Sequence, residues 1–309
     1  IKKYILLDKG FNVFIVPEFT HSSMPLLWFI KQLFNKPVIF DPDTSLYFSS
    51  VYNRKEIRNN SFKAKYLWWL DRIALSSADM VTVTTEQNYI FFNRHFGVKE
   101  AKMRLIHFGV DDDLFYPRIK KDSDGIFRVI FWGRYIPGHG IEYILRAAKL
   151  LEKEADIHFE LYGNGQAFKE TQGLHKELEL KNLVLKDLIP REKIPEITAK
   201  ADICLGIFGD TEQLDRCISD KILEIMALRK PLLTARYAVY TSIFNDGEHC
   251  LFCERANPES LKDAILRLKN NKKLRDKIAE GGYSLIKDKY NSANIGRRLK
   301  EVIGECLRR

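Results

Sequence analysis

No stretch of this 309-residue chain approaches the roughly 20 consecutive apolar residues that a membrane-spanning helix needs. Pro25–Ile30 is apolar but short, and Lys31 follows at once. No signal-peptide pattern opens the chain. It begins with Ile rather than Met, so a fragment or a processed start is expected. Cysteine is scarce. The 5 present (Cys204, Cys217, Cys250, Cys253 and Cys306) are odd in number and scattered, which argues against a disulfide framework and for a reducing compartment. Cys250-Leu-Phe-Cys253 has redox or metal spacing, but no second pair completes a zinc site. Its apolar setting, His249 to Phe252, reads as buried strand. Low-complexity tracts and internal repeats are also lacking, and no metal site is expected.

What is present is ordinary globular chemistry with a basic tilt. Hydrophobic residues make up 45% of the chain, enough to build real cores, and the length suits two domains. Lys and Arg number 50 against 41 Asp and Glu, a net charge of +9. The bias sharpens at Arg54, Lys55, Arg58, Lys63 and Lys65, interrupted only by Glu56. Such a balance favours nucleotide phosphates, an anionic bilayer or nucleic acid as neighbours, and equally suits a solvated basic face. Nucleic acid is the weakest of these, because the cations are not interleaved with aromatics on an evident strand face.

Short apolar runs alternate with helical patterns. Strands are expected at Asn12–Val16, Val38–Phe40, Met80–Thr84, Arg104–Ile106, Arg128–Trp132, His158–Tyr162, Leu183–Leu185, Ile203–Gly206, Pro231–Thr234 and Cys250–Phe252, in the style of strands buried on both faces of a parallel sheet. Helical spacing of apolar residues at Ile141, Ile144, Leu145, Ala148 and Leu151, and again from Ile295 to Cys306, completes a doubly wound α/β pattern. A break near 107–126, including the charged run Lys120–Gly125, predicts two α/β domains: 1–118, 119–290, and a tail helix over 291–309. The first has four strand candidates and no glycine-rich turn after an opening strand, so it is expected to be incomplete at its N-terminus.

Two segments carry the chemistry. Phe131-Trp-Gly-Arg-Tyr-Ile-Pro-Gly-His-Gly140 reads as a buried strand entering a glycine-rich, cationic turn before a helix. Arg134 there can meet a phosphate oxygen, His139 can add a donor, and Gly133, Gly138 and Gly140 permit close backbone approach. An ordinary strand-to-helix turn with an exposed Arg has the same composition. Ser219-Asp220-Lys221-Ile222-Leu223-Glu224 opens a helix with Ser219 as its N-cap. Glu224 can accept hydrogen bonds from a ribose diol with Lys221 on a neighbouring face, or the two can form a surface pair. Gly163 and Gly165 turn toward the same crevice, as turn chemistry alone also would. Asp210, Glu212 and Asp215, in an unusually acidic loop, can reach sugar hydroxyls or simply be solvated. Asp41 and Asp43 end an early strand and can face an acceptor, although Asp before Pro is common in turns. His107 reads as a satisfied structural histidine.

In order, these pieces resemble family 4 glycosyltransferases. The set also includes Leu105-Ile-His-Phe-Gly-Val-Asp111, Phe115-Tyr-Pro117, Ala201-Asp-Ile-Cys-Leu-Gly206, Glu224-Ile-Met-Ala227 and Pro258-Glu-Ser-Leu-Lys-Asp-Ala264. The resemblance implies the GT-B fold, two Rossmann-like domains facing each other across a cleft. It implies a nucleotide-diphosphate-sugar donor, UDP or GDP above others, and retention of anomeric configuration without a divalent metal or other cofactor. Arg134 and the residue at 139 would hold the diphosphate, Glu224 the ribose, and the stretch at Asp187 and Leu188 the base. The family commonly has lysine where His139 stands, and its earlier paired glutamate falls on Arg216.

The expected activity is transfer of a sugar to a cell-surface glycan or lipid-linked acceptor. It is placed in the cytoplasm or peripherally at the cytoplasmic face of an anionic membrane. The aromatic, cationic stretch Lys63–Trp69 is expected to put its lysines on the surface and its tryptophans in the core. The alternatives are a GT-B nucleotide-sugar epimerase or a non-catalytic nucleotide-sugar-binding subunit.

Overall fold

In a computed structural model that describes residues 10–118 and 124–308, the short apolar runs become strands of two parallel sheets. The first sheet contains β1 (Phe14–Val16), β2 (Val38–Phe40), β3 (Met80–Val83) and β4 (Met103–Leu105), in sequential order. The second contains β5 (Phe127–Trp132), β6 (Ile157–Tyr162), β7 (Leu183–Lys186), β8 (Ile203–Leu205), β9 (Leu232–Ala235) and β10 (Leu251–Cys253). Its spatial order is β7-β6-β5-β8-β9-β10, all parallel. The chain thus enters at the middle of this sheet, winds one way through β6 and β7, then returns to wind the other way. That is the doubly wound order with a switch point between β5 and β8.

Local chemistry sets the helices. In the first unit, α1 (Met24–Phe34) packs on α2 (Phe62–Ser77). Next, α3 (Glu86–Phe96) starts at Thr85, whose hydroxyl accepts from Asn88 N, and stops at Gly97 in the left-handed conformation. In the second unit, α4 (Ile141–Leu150) buries Ile141, Ile144, Leu145, Ala147 and Ala148 against the sheet. By contrast α5 (Asp220–Ala227) is buried along every residue from Lys221 to Ala227.

The chain divides at His107/Phe108 and again at Ile295/Gly296: the first unit comprises the chain up to His107 together with the C-terminal segment, the second Phe108–Ile295. The first boundary lies earlier than the 118 expected from composition. Val110 makes a parallel bridge to Asn291, and Phe115 is buried in the second core, so this segment already belongs to the second unit. Most of the charged run Lys120–Gly125 lies outside the described residues. The terminal helix α6 (Ser292–Leu307) buries Val302 and Cys306 with Ile39 and Met80 of the first unit. One detail of α2 departs from expectation. Trp68 is half-buried against Phe96, but Trp69 is 55% exposed, because the face that packs inward is set by Ala64, Leu70, Asp71, Ala74 and Leu75. Cys250 and Cys253 are buried β10-region thiols. Among the described residues no helix is long and apolar enough to cross a membrane.

Candidate functional site

Beyond the carboxyl ends of β5 and β8, three turns lock together through glycine. Gly133 follows β5 at φ 139°, and its N–H donates to Tyr162 O at 2.9 Å. Gly163, after β6, sits against that same turn, where a Cβ would collide with the Gly133 carbonyl and the Tyr135 ring. Gly209, after β8, lies where a Cβ would stand 2.5 Å from Gly138 O, and Phe208 N donates to His139 O at 3.2 Å. Gly140, at φ 65°, ends a short 3-10 turn over Pro137–His139 and starts α4. Gly165 at φ 151° would place a Cβ 2.7 Å from Tyr135 O. The backbone at the switch point is therefore close-packed, with no room for a Cβ at Gly163, Gly165 or Gly209.

The cations differ in kind. Arg134 is exposed and makes no ion pair or side-chain hydrogen bond among the described residues. His139 is half-buried, with Nδ1 2.5 Å from the Arg134 carbonyl. A carbonyl only accepts, so Nδ1 carries the proton, and the neutral ring presents a lone pair at Nε2. Burial, and then the neighbouring Lys221, push the ring well below the usual histidine range. Lys221, on the first turn of α5, is buried rather than on a surface. Its Nζ sits 3.6 Å over the Phe131 ring centroid and has no hydrogen-bond partner. Burial drives its pKa well down, with Glu224 pulling the other way.

Glu224, one turn along α5, is also buried. Its Oε1 accepts from Arg191 Nη2 at 2.9 Å and Nε at 3.3 Å. Burial raises the carboxyl, while Arg191 lowers it. The Trp132 indole N–H lies near enough to lower it slightly, yet is outside hydrogen-bonding geometry and has no other partner. Arg191 comes from a 3-10 turn over Arg191–Lys193 after β7, and its guanidinium lies 4.9 Å over Phe115 and 3.9 Å from Asp111. Sequence patterns had not singled out Arg191, Trp132 or Gly209. An isolated Arg after Pro190 carries no motif, and only the three-dimensional approach of the turn after β7 to Glu224 on α5 selects it.

The remaining sequence candidates are placed as follows. Asp187 and Leu188 are exposed on the segment between β7 and Arg191. Glu212 is exposed, and Asp210 pairs with Arg255 Nε at 3.2 Å. Asp215 is committed on both oxygens: Oδ2 accepts from Arg255 at 2.9 Å and Oδ1 from Ala238 N at 2.8 Å. Its part is thus holding the loop. Ser219 stands at the N-cap of α5, but its hydroxyl makes no capping hydrogen bond. In the first unit, Asp41 accepts from Thr82 Oγ1 at 2.6 Å, and burial raises its pKa. Asp43 takes φ 49°, and its carbonyl accepts from Asn88 Nδ2 at 3.0 Å. His107 Nδ1 bonds the Thr84 carbonyl at 2.9 Å, the role of a structural histidine. Among the described residues no cluster of three or more His, Cys, Asp or Glu is arranged to hold a metal ion.

Residues 116–285 match the family model "Glycosyl transferases group 1", and residues 4–114 match "Glycosyltransferase Family 4". The chain belongs to the group 1 glycosyl transferases. This family member is 26% identical over 226 residues to an uncharacterized glycosyltransferase of Methanocaldococcus jannaschii, covering 73% of the chain and 59% of that protein. It is 25% identical over 179 residues to an alpha-D-kanosaminyltransferase of Streptomyces kanamyceticus, covering 57% of the chain and 45% of the relative. The chain thus spans about half to three-fifths of the length of these curated relatives. Anabaena HepE, solved in complex with UDP and glucose, superimposes with a TM-score of 0.78 at 13% identity, covering 98% of this chain and 80% of that one. At that identity the likeness shows the fold alone, which is GT-B.

Proposed function

We propose that this group 1 glycosyltransferase moves a sugar, with retention, from a nucleotide-diphosphate donor to a hydroxyl of a glycan or lipid-linked acceptor. The observation that carries this is the convergence, at the switch point of the second sheet, of glycine-packed turns, an unpaired exposed Arg134, and a buried carboxylate on α5. Arg134 meets the donor diphosphate and Glu224 the ribose diol. For the diol to bind, Glu224 must share or exchange its Arg191 partner. Asp187 and Leu188 flank the base, and Glu212 is open to the sugar, as is Asp210 once it shares or gives up its Arg255 partner.

In the transfer, the bond from the sugar C1 to the distal phosphate oxygen breaks, and its electron pair stays on that oxygen. The acceptor hydroxyl oxygen bonds to C1, and its proton passes to the leaving phosphate. Cationic side chains stabilise the charge that grows on the phosphate, which is where electrostatic catalysis acts. The reading needs no resident cofactor or metal. Asp41 and Asp43 are the acceptor-side candidates of the first unit.

We further infer work at the cytoplasmic face of an anionic membrane. Phe62, Tyr66 and Trp69 are exposed on α2 beside Lys63 and Lys65, while Trp28, Phe29 and Leu33 are exposed on α1. Aromatic groups flanked by lysines suit an interfacial position. The donor reading is tested by melting temperature with UDP-, GDP-, ADP- and CDP-sugars, beside Glu224→Ala. Stabilisation by one nucleotide class, reduced in the variant, is expected. A folded protein that shifts with none of them overturns the reading. Binding without turnover, given glycan and lipid-linked acceptors, would instead support a non-catalytic nucleotide-sugar subunit, to which Arg216 in place of the family's earlier glutamate lends weight.

A further inference from the structure

Lys221 is costly where it stands. The residue is only 5% exposed, yet among the described residues its ammonium nitrogen has neither a hydrogen bond nor an ion pair. The nearby carboxylate that might serve, Glu224, is hydrogen-bonded to Arg191 instead. The Phe131 face beneath it supplies a cation–π contact, which offsets only part of the cost of removing an unpaired charge from water. Holding the charged form there with so little compensation is costly, and an anion brought next to it would relieve that cost and favour the ammonium.

The surroundings say where the anion would lie. A Cβ on Gly133 would stand 3.0 Å from Lys221 Nζ, 3.2 Å from its Cε and 3.6 Å from His139 Cε1. Lys221 and His139 therefore converge on the missing side chain of a glycine that directly follows β5, one residue before Arg134. His139 is poorly suited to an anion there, because its Nδ1 proton is used on the Arg134 carbonyl and its Nε2 lone pair would repel phosphate oxygens. Lys221 has three N–H donors and none is used.

We propose that Lys221, not His139, is the second cation of the diphosphate subsite: its ammonium donates to the distal phosphate beside Gly133, while His139 positions the turn by bonding the Arg134 carbonyl. This rests on the donor-site reading above. In the transfer step, Lys221 and Arg134 together face the oxygen that keeps the electron pair of the broken C1–O bond. His139 is then a positioning residue, and Gly133 is glycine because any side chain would occupy the space between the ammonium and the phosphate.

The test is calorimetric titration of the chain with UDP, GDP, uridine and guanosine, comparing wild type with Lys221→Met, His139→Gln and Arg134→Ala, together with ligand-free melting temperatures. Lys221→Met is expected to weaken the diphosphate about 10- to 100-fold, the scale for losing a hydrogen bond to a charged group, and to leave the nucleoside alone unaffected. The same variant is expected to melt higher than wild type without ligand, since an apolar chain of similar length replaces an unpaired buried charge. A purely structural lysine would not give that opposition. His139→Gln should weaken the diphosphate several-fold less than Lys221→Met. If Lys221→Met does not fold, Lys221→Gln takes its place in the titration. Unchanged UDP and GDP affinity in the Lys221 variant, or a larger loss at His139, overturns the assignment while leaving the donor site standing. Wild type that binds neither diphosphate overturns the donor site and the assignment with it.

Discussion

Of the large apolar side chains left exposed among the described residues, Tyr116, Leu150, Val184 and Leu188 belong to the second unit, scattered one by one. The others, including Phe19, Trp28, Phe29, Leu33, Phe62, Tyr66 and Trp69, belong to the first unit, although it is smaller. The buried ionisable groups divide differently. The second unit buries Lys221 and Glu224 at its strand ends, with close glycine contacts around them. The first buries His21 and Asp71, 3.4 Å apart, with Asp71 accepting from Ser45 Oγ, Leu46 N and Tyr47 N. Both units are parallel α/β layers. One spends its polar burial on a cationic pocket at a switch point. The other spends it on fixing the loop after β2, and leaves apolar helix faces outward. Architecture alone therefore does not assign the ligand, and the proposed donor site rests instead on the sign and pairing of the buried charges.

The largest effect should come from removing Arg134, which is exposed and makes no ion pair among the described residues. Arg134→Ala is expected to weaken UDP or GDP about 100-fold, or roughly 2–3 kcal/mol for a charge-assisted bidentate contact, while the melting temperature stays within a degree or two. Calorimetry and a thermal melt read both. A similar loss from Ala substitution at Arg128, which is paired with Asp124 near the start of β5, would erase the contrast between this site and other basic residues.

The first unit is distinguished by pH. Burial lowers His21 from 6.5 to about 4 and raises Asp71 from 3.8 to about 6. A depressed histidine contributes stability that is present above its unfolded value and is lost as pH falls through 6.5 toward 4. A raised carboxyl contributes stability that is present below 3.8 and is lost as pH rises through 6. The two slopes oppose each other between pH 4 and 6, so wild type should show a shallow profile there. Asp71→Asn should expose the histidine slope, losing on the order of 2–3 kcal/mol between pH 6.5 and 4, and His21→Gln should expose the reverse slope. Urea melts across pH check it, and parallel profiles for all three proteins would refute the opposing pair.

How much of this was legible beforehand follows from the same physics. All ten strand runs lie within about two residues of their expected places, because a doubly covered parallel strand must be a short, continuous apolar run. The turn through Gly133, Arg134 and Gly140 was legible as a turn, because Gly133 and Gly140 take positive φ that glycine accepts freely, but the same composition suits an ordinary strand-to-helix connection. Lys221 was legible as a candidate but not as a buried group. Charge patterning assumes that a helix has a solvent face, and α5 has none. Arg191 was not legible, since its partnership with Glu224 joins residues 33 apart on different elements. Trp69 misled for the converse reason: aromatic pairs on a helix usually bury, and here the inward stripe passes one residue to its side.

Glu224→Gln sharpens the second unit at a smaller scale. Its amide keeps one acceptor for a ribose hydroxyl but loses the charge shared with Arg191, so nucleoside diphosphate affinity should fall about 10-fold, near 1.5 kcal/mol. Inorganic pyrophosphate, which has no ribose, should bind wild type and variant alike. An equal loss for both ligands would move Glu224 from the ribose to the phosphate side of the site.

The smallest effect concerns the outward faces of the first unit. Trp69 is 55% exposed and Phe62 92% exposed on α2, with Lys63 and Lys65 beside them. Near an anionic bilayer each lysine is worth about 1 kcal/mol, and one interfacial indole a comparable amount. Trp69→Ala should therefore lower binding to vesicles rich in phosphatidylserine only a few-fold, and Lys63→Gln by a similar factor. Zwitterionic vesicles should bind weakly in every case, and raised salt should diminish the lysine effect while sparing the tryptophan effect, because screening acts on charge and not on apolar burial. Co-sedimentation measures each arm. Binding that is indifferent to lipid charge and to both variants would detach this surface from membranes, and would leave the apolar faces of α1 and α2 as a surface for protein.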